Sequence, residues 1–217
     1  MNFPSQTKII LIYLISLVAC MVAAQLLPQL DFIAGWQEPE NKITVTVFQF
    51  ISDSISFVSF GIPVMITIIR EFKSEASKKQ NRLSLLYVLL SIAVAGLISY
   101  LMKKTFTEPR PYEVDTRIVQ LSVGGGYSLP SGHTTEAFAS ATALVLLFPR
   151  WVVALPVFTW ASLVALSRIY LGVHYPFDIF VGMFIGSSVA FVWYRFVFWK
   201  SVQSNSLTTE AQRRQEN

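Results

Sequence analysis

The segment SRIYLGVHYPFD, residues 167–178, gathers an Arg, a His and an Asp in a chain that is otherwise apolar. Only two histidines occur in 217 residues, and charged residues make up 14% of the total. Arg168 precedes His174 by six positions and Asp178 follows it by four. Pro176 suits the first turn of a helix, which puts His174 just ahead of that turn and Asp178 within it. From there the Asp178 carboxylate can reach one imidazole nitrogen and fix the tautomer. The other nitrogen is then free to attack an electrophile. A plain capping role for Asp178 uses the same placement without chemistry.

Two further segments carry complementary chemistry. In KKTFTEPRP, residues 103–111, Arg110 stands between two prolines on a stiff, extended piece of chain. With Lys103 nearby it forms a clamp suited to phosphate oxygens, although interfacial Lys and Arg also simply snorkel to lipid headgroups. In YSLPSGHTTEAF, residues 127–138, Pro, Ser and Gly mark the start of a helix. Its free backbone N–H groups make an anion site. Gly132 lets that backbone approach a ligand, and the Ser131 hydroxyl adds a hydrogen bond or merely caps the helix. His133 lies at the mouth of the same site, placed to donate a proton.

The elements that must position these residues follow from composition. Hydrophobic residues make up 53% of the chain, and the mean hydropathy is +0.51. Long apolar runs recur at the length needed to cross a bilayer, and continuous runs favour helices over barrel strands. The reading is an all-α bundle of six spans. They cover about Ile9–Leu27, Thr44–Ile69, Leu83–Met102, Thr134–Phe148, Trp151–Leu171 and Phe177–Trp199. The first run resembles a signal peptide but is read as an uncleaved span. Residues 1–200 form one domain, and residues 201–217 form a polar, disordered tail. Cys20 lies inside an apolar run as a small packing residue.

Arg70, Lys73, Lys78, Lys79 and Arg82 crowd the linker after span two, whereas the linker after span one is acidic. By the positive-inside rule both termini are cytoplasmic, and the three chemical segments share the outer face. The net charge of +4 then reflects orientation, not nucleic-acid binding. Lys103, Lys104, Arg110 and Arg117 break the rule on the outer side, which points to an anionic ligand. Glu136 follows His133 by three positions and shares its helical face, as a polar surface residue or a contact for a headgroup. The turn VGGGYS, residues 123–128, is a slack linker or an adaptable approach to the site.

Taken together, Lys103 with Arg110-Pro111, then Pro130-Ser131-Gly132-His133, then Ser167-Arg168 with His174 and Asp178, resemble in order and spacing the type 2 phosphatidic acid phosphatase family of membrane lipid phosphatases. The motifs cover residues 103–178. The resemblance implies that His174 is a nucleophile forming a phosphohistidine, that Asp178 orients it and that His133 protonates the leaving oxygen. It implies that Lys103, Arg110 and Arg168, with Ser131 and Gly132, bind the phosphate. No cofactor and no metal are expected. The expected activity is hydrolysis of a lipid phosphate monoester or diphosphate at the outer membrane-water interface of a bacterial inner membrane, on the periplasmic or exterior side. A lipid-to-lipid phosphotransferase, or a membrane protein without catalysis, are the alternatives.

Overall fold

The computed structural model describes residues 3–73 and 78–198. The expected tail, residues 201–217, and part of the basic linker lie outside the described residues. Among those described every regular element is a helix and there is no strand. The helices are α1 (Phe3–Leu26), α2 (Gln29–Trp36), α3 (Lys42–Ser56), α4 (Ile62–Lys73), α5 (Lys78–Phe106), α6 (Pro111–Val114), α7 (Gly132–Leu147), α8 (Trp151–Tyr170) and α9 (Pro176–Val197).

Five stretches are long and apolar enough to cross a membrane: Lys8–Leu26, Lys42–Arg70, Lys78–Val114, Trp151–Tyr170 and Pro176–Val197. The chain is an integral membrane protein. The remaining expected span is α7, which has 16 residues. At 1.5 Å per residue it is about 24 Å long, shorter than the ~30 Å hydrocarbon core. Its sequence explains how it persists there. Ala, Ser and Thr dominate it, and α5, α8 and α9 enclose it. It is the axis of the bundle, not part of its lipid-facing rim.

The expected second span is one continuous rod with a π-helical turn at Phe57–Gly61 joining α3 to α4. Pro63 causes the irregularity, since it has no N–H and its ring crowds the carbonyl of Ser59. Ser140 of α7 donates its hydroxyl to that carbonyl at 3.3 Å. Two short helices, α2 and α6, stand where the sequence suggested only linkers. Both lie on the side of the site. Buried Gln37, just after α2, donates to the carbonyls of Val119 and Tyr170, each at 2.9 Å, and accepts from Val119 N–H at 2.9 Å. Gln49 of α3 donates to Leu121 O at 2.7 Å. The linker from α6 to α7 is therefore laced to the bundle by side-chain amides.

Packing of α9 on α7 brings the third chemical segment to the second. The two backbones touch through small residues, the usual solution where lipid gives helices no hydrophobic reason to associate. A Cβ on Gly186 would lie 2.2 Å from Thr135 O and 2.8 Å from Ala139 N. A Cβ on Gly182 would lie 2.9 Å from Ser131 O. Gly186→Ala is therefore expected to force α9 off α7 and to destabilise the bundle by about 1–3 kcal/mol. A lowered melting temperature in detergent would check this; an unchanged value would contradict the close approach.

Candidate active site

Each expected segment delivers its side chains through a local cause. Asp178 stands at the third position of α9, where its Oδ2 accepts the Tyr175 N–H at 3.0 Å and so caps the helix. The same oxygen lies 3.2 Å from His174 Nδ1. Capping and imidazole orientation are thus one arrangement, not alternatives. Ser131 is the cap of α7: its hydroxyl accepts from Thr134 N–H at 3.4 Å and Thr134 Oγ1 at 2.9 Å. Gly132 opens the helix beside it. Arg110 is extended, as its flanking prolines require, and its backbone N–H donates to Glu113 Oε2 at 2.7 Å.

The three cations converge from different elements. Lys103 sits in the last turn of α5, which continues to Phe106 beyond the expected end. Its ammonium donates to Tyr127 O at 2.6 Å and Ser128 O at 2.9 Å. Arg110 is only 3% exposed, and its guanidinium donates to Gly126 O and Val173 O at 2.8 Å and to Gly125 O at 2.9 Å. Arg168, 2% exposed, donates to the hydroxyls of Ser52 and, at 3.2 Å, Ser122. Its Nε–H is buried without an acceptor among the described residues.

All three charges are felt at His174. Burial pushes this imidazole well below the ordinary histidine range, and Lys103, Arg110 and Arg168 push it the same way. The ring is accordingly neutral, the state in which a nitrogen lone pair is available. His133 lines an adjoining cavity with Gln49, Asp53, Gln120 and Ser122. This constellation offers a cationic cradle, a neutral oriented imidazole and a second imidazole at the cavity wall.

Several expectations gain definition. Gly124 is needed because a Cβ there would lie 3.1 Å from the Arg110 guanidinium carbon, so the glycine turn wraps this side chain and is not slack. Of the four outer basic residues taken together, only Lys103 and Arg110 face the site. Lys104 lies over the Tyr100 ring at 5.8 Å. Arg117 pairs with Asp31 at 2.7 Å and Asp115 at 2.6 Å, which ties the loop after α6 to α2. Glu136 turns toward α5, 3.7 Å from where a Cβ on Gly96 would sit.

Three contributors escaped sequence reasoning. Ser128 donates to Asp178 Oδ2 at 2.5 Å and lies 3.4 Å from His174 Nδ1. Ser52 holds Arg168, and Asp53 lines the cavity at His133. The polar triplet Ser52-Asp53-Ser54 inside an apolar span was the available signal, since intramembrane polar groups are rarely idle. Ser128 had no signal beyond its nearness to Ser131.

The PAP2 superfamily profile matches residues 84–201. Undecaprenyl-diphosphatase BcrC of Bacillus subtilis is 33% identical over 118 residues, which cover 54% of this chain and 60% of that protein. The lipid A 4′-phosphatase of Bacteroides thetaiotaomicron is 30% identical over 135 residues, covering 51% of this chain and 60% of that protein. The chain thus spans less than two thirds of the length of these relatives. The crystal structure of Aquifex aeolicus LpxE superposes with a TM-score of 0.62 at 25% identity, covering 76% of this chain and 92% of that one. A PAP2-type phosphatidylglycerolphosphate phosphatase from Bacillus subtilis superposes equally well, at 0.62 and 22% identity over 86% of this chain and 93% of that one, and shares the fold.

The lowered histidine has a spectroscopic consequence. With 15N-labelled histidine, the His174 ring is expected to remain neutral at pH 6, with its proton on Nδ1 facing Asp178. His133→Gln assigns the signal, since only two histidines exist. Ser128→Ala should mix the tautomers by loosening the carboxylate. A charged ring at pH 6 would contradict the arrangement.

Proposed function

This chain belongs to the PAP2 superfamily, and from that premise we propose that it is a membrane phosphatase hydrolysing a lipid phosphate monoester or diphosphate through a phosphohistidine on His174. The observation that carries the reading is the pairing of a neutral, carboxylate-oriented imidazole with three cations drawn from separate segments, two of them buried guanidiniums and the third the half-buried Lys103. A phosphoryl group needs positioning and charge stabilisation above all. The phosphate accepts from Lys103, Arg110 and Arg168, and the partnerless Arg168 Nε–H gives it a ready donor. Gly132 N–H at the start of α7 adds a helix-terminal donor, while Ser131 shapes that terminus through its cap.

The steps follow from the residues. The His174 Nε2 lone pair forms a bond to phosphorus as the bond from phosphorus to the leaving oxygen breaks. Asp178 steadies the positive charge that develops on the ring. His133, protonated once the bound phosphate offsets the three cations, gives a proton to the leaving oxygen. It then takes one from a water molecule, whose oxygen attacks phosphorus, breaks the bond to His174 and releases phosphate. The cations of the chain supply the charge that a metal gives in other phosphatases. Phosphate release is therefore expected to be unchanged by EDTA.

Residues 1–200 form one six-span unit in this reading, with α7 as the short fourth span and both termini cytoplasmic. The site then faces the outer side of a bacterial inner membrane, where a lipid keeps its tails in the bilayer as its headgroup enters. The undecaprenyl-diphosphatase and lipid A phosphatase names of the relatives agree with that substrate class.

His174→Ala is expected to abolish phosphate release from detergent-solubilised lipid phosphates while the protein stays folded. Asp178→Asn should retain a residual rate, about 10²-fold or more below wild type, because it orients and does not attack. Wild-type turnover in His174→Ala would remove the mechanism. For sidedness, a cysteine replacing Thr116, on the loop that follows α6, should react with a membrane-impermeant reagent from outside intact cells once Cys20 is replaced. Reaction only after permeabilisation would place the site on the cytoplasmic face.

A further inference from the structure

Beside the cationic cradle the site has a wall of opposite character. The cavity at His133, about 610 Å3 in volume, is also lined by Gln49, Asp53 and Gln120. Gln49 and Asp53 are four residues apart on α3, so they share one face. The amide nitrogen of Gln49 is committed to Leu121 O at 2.7 Å, and that of Gln120 to Ser122 O at 3.1 Å. Their amide oxygens remain as acceptors. The Asp53 carboxylate makes no hydrogen bond or ion pair among the described residues, although its charge reaches Arg168. Asp53 is exposed to this cavity and not buried, so its carboxylate and the two amide oxygens stand available to a ligand group that supplies donors.

The position of this wall identifies which part of a substrate meets it. With phosphorus in the cradle and His133 at the leaving oxygen, the group attached to that oxygen extends into the cavity. We propose that Gln49, Asp53 and Gln120 form a leaving-group subsite. It favours phosphate monoesters whose alcohol carries hydroxyl or amino donors, and it disfavours diphosphates. The inference rests on the phosphatase reading above and narrows it. For a monoester the bond from phosphorus to the alcohol oxygen breaks, that oxygen takes the His133 proton, and a neutral alcohol leaves beside acceptors. For a diphosphate the departing group is itself a phosphate, and its negative charge is brought up to Asp53.

Simple phosphonates test this without turnover, because none carries a cleavable ester. Binding to the full-length protein in detergent is measured by calorimetry for methylphosphonate, hydroxymethylphosphonate, aminomethylphosphonate and methylenediphosphonate. The wild type should bind the hydroxyl and amino compounds several-fold more tightly than methylphosphonate, and methylenediphosphonate more weakly than either. The ratio between hydroxymethyl and aminomethyl compounds separates a hydroxyl-bearing from an amine-bearing leaving group. In Asp53→Asn, methylenediphosphonate should tighten about tenfold, as expected on removing a like charge at short range. Aminomethylphosphonate should weaken several-fold, and methylphosphonate should stay within about threefold. Asp53→Ser gives the same ordering should Asp53→Asn fail to fold. An equal change for all four compounds, or no change, would overturn the subsite while leaving the phosphatase reading intact. Failure of every phosphonate to bind the wild type would remove the phosphate reading, and the subsite with it.

Discussion

Lys103, Arg110 and Arg168 repel one another and are costly to withdraw from water, so the protein surrounds them with oxygen acceptors. Those acceptors are largely backbone carbonyls: Tyr127, Ser128, Gly125, Gly126 and Val173. Loops supply them because helical carbonyls are already used. This requirement explains why the glycine turn wraps Arg110, and it fits the way Gln37 and Gln49 tie down the linker before α7, from which Ser122 reaches Arg168. Burial first, and then the same charges, hold His174 below the ordinary histidine range, so in the proposed mechanism one arrangement would prepare both the phosphate cradle and the attacking nitrogen.

The bundle supports this arrangement through its shortest long helix. Because α7 is built from small residues, α5, α8 and α9 can approach it closely, and they bring Lys103, Arg168 and Asp178 to its N-terminal end. A longer, bulkier α7 would hold these helices apart.

Much of this was legible in the sequence. Long apolar runs marked the spans, and rare polar residues at helix starts marked the site, because a mostly apolar chain makes each His or Arg informative. Pro111 and Pro176 placed Arg110 and Asp178 correctly through the fixed proline φ. Tertiary contacts were the part that sequence spacing does not encode. Ser128 meets Asp178 fifty residues away, and Asp53 reaches the cavity only because α3 packs beside α8 and the linker before α7. Arg117 looked like a residue for an anionic ligand by charge alone, but it pairs with Asp115 two positions away and with Asp31 of α2. The helices α2 and α6 were too short for periodicity to reveal, although Pro111 and Glu113 form a recognisable helix start.

The central claim is that phosphorus is transferred to His174, and trapping tests it most directly. The protein would be mixed with a 32P-labelled lipid phosphate and quenched within milliseconds in alkali, where phosphohistidine survives, then digested and sequenced. The account predicts a single acid-labile label on the peptide containing His174, absent from His174→Ala and still formed, more slowly, in Asp178→Asn. Label on His133, or full turnover with no labelled protein at any quench time, would contradict it.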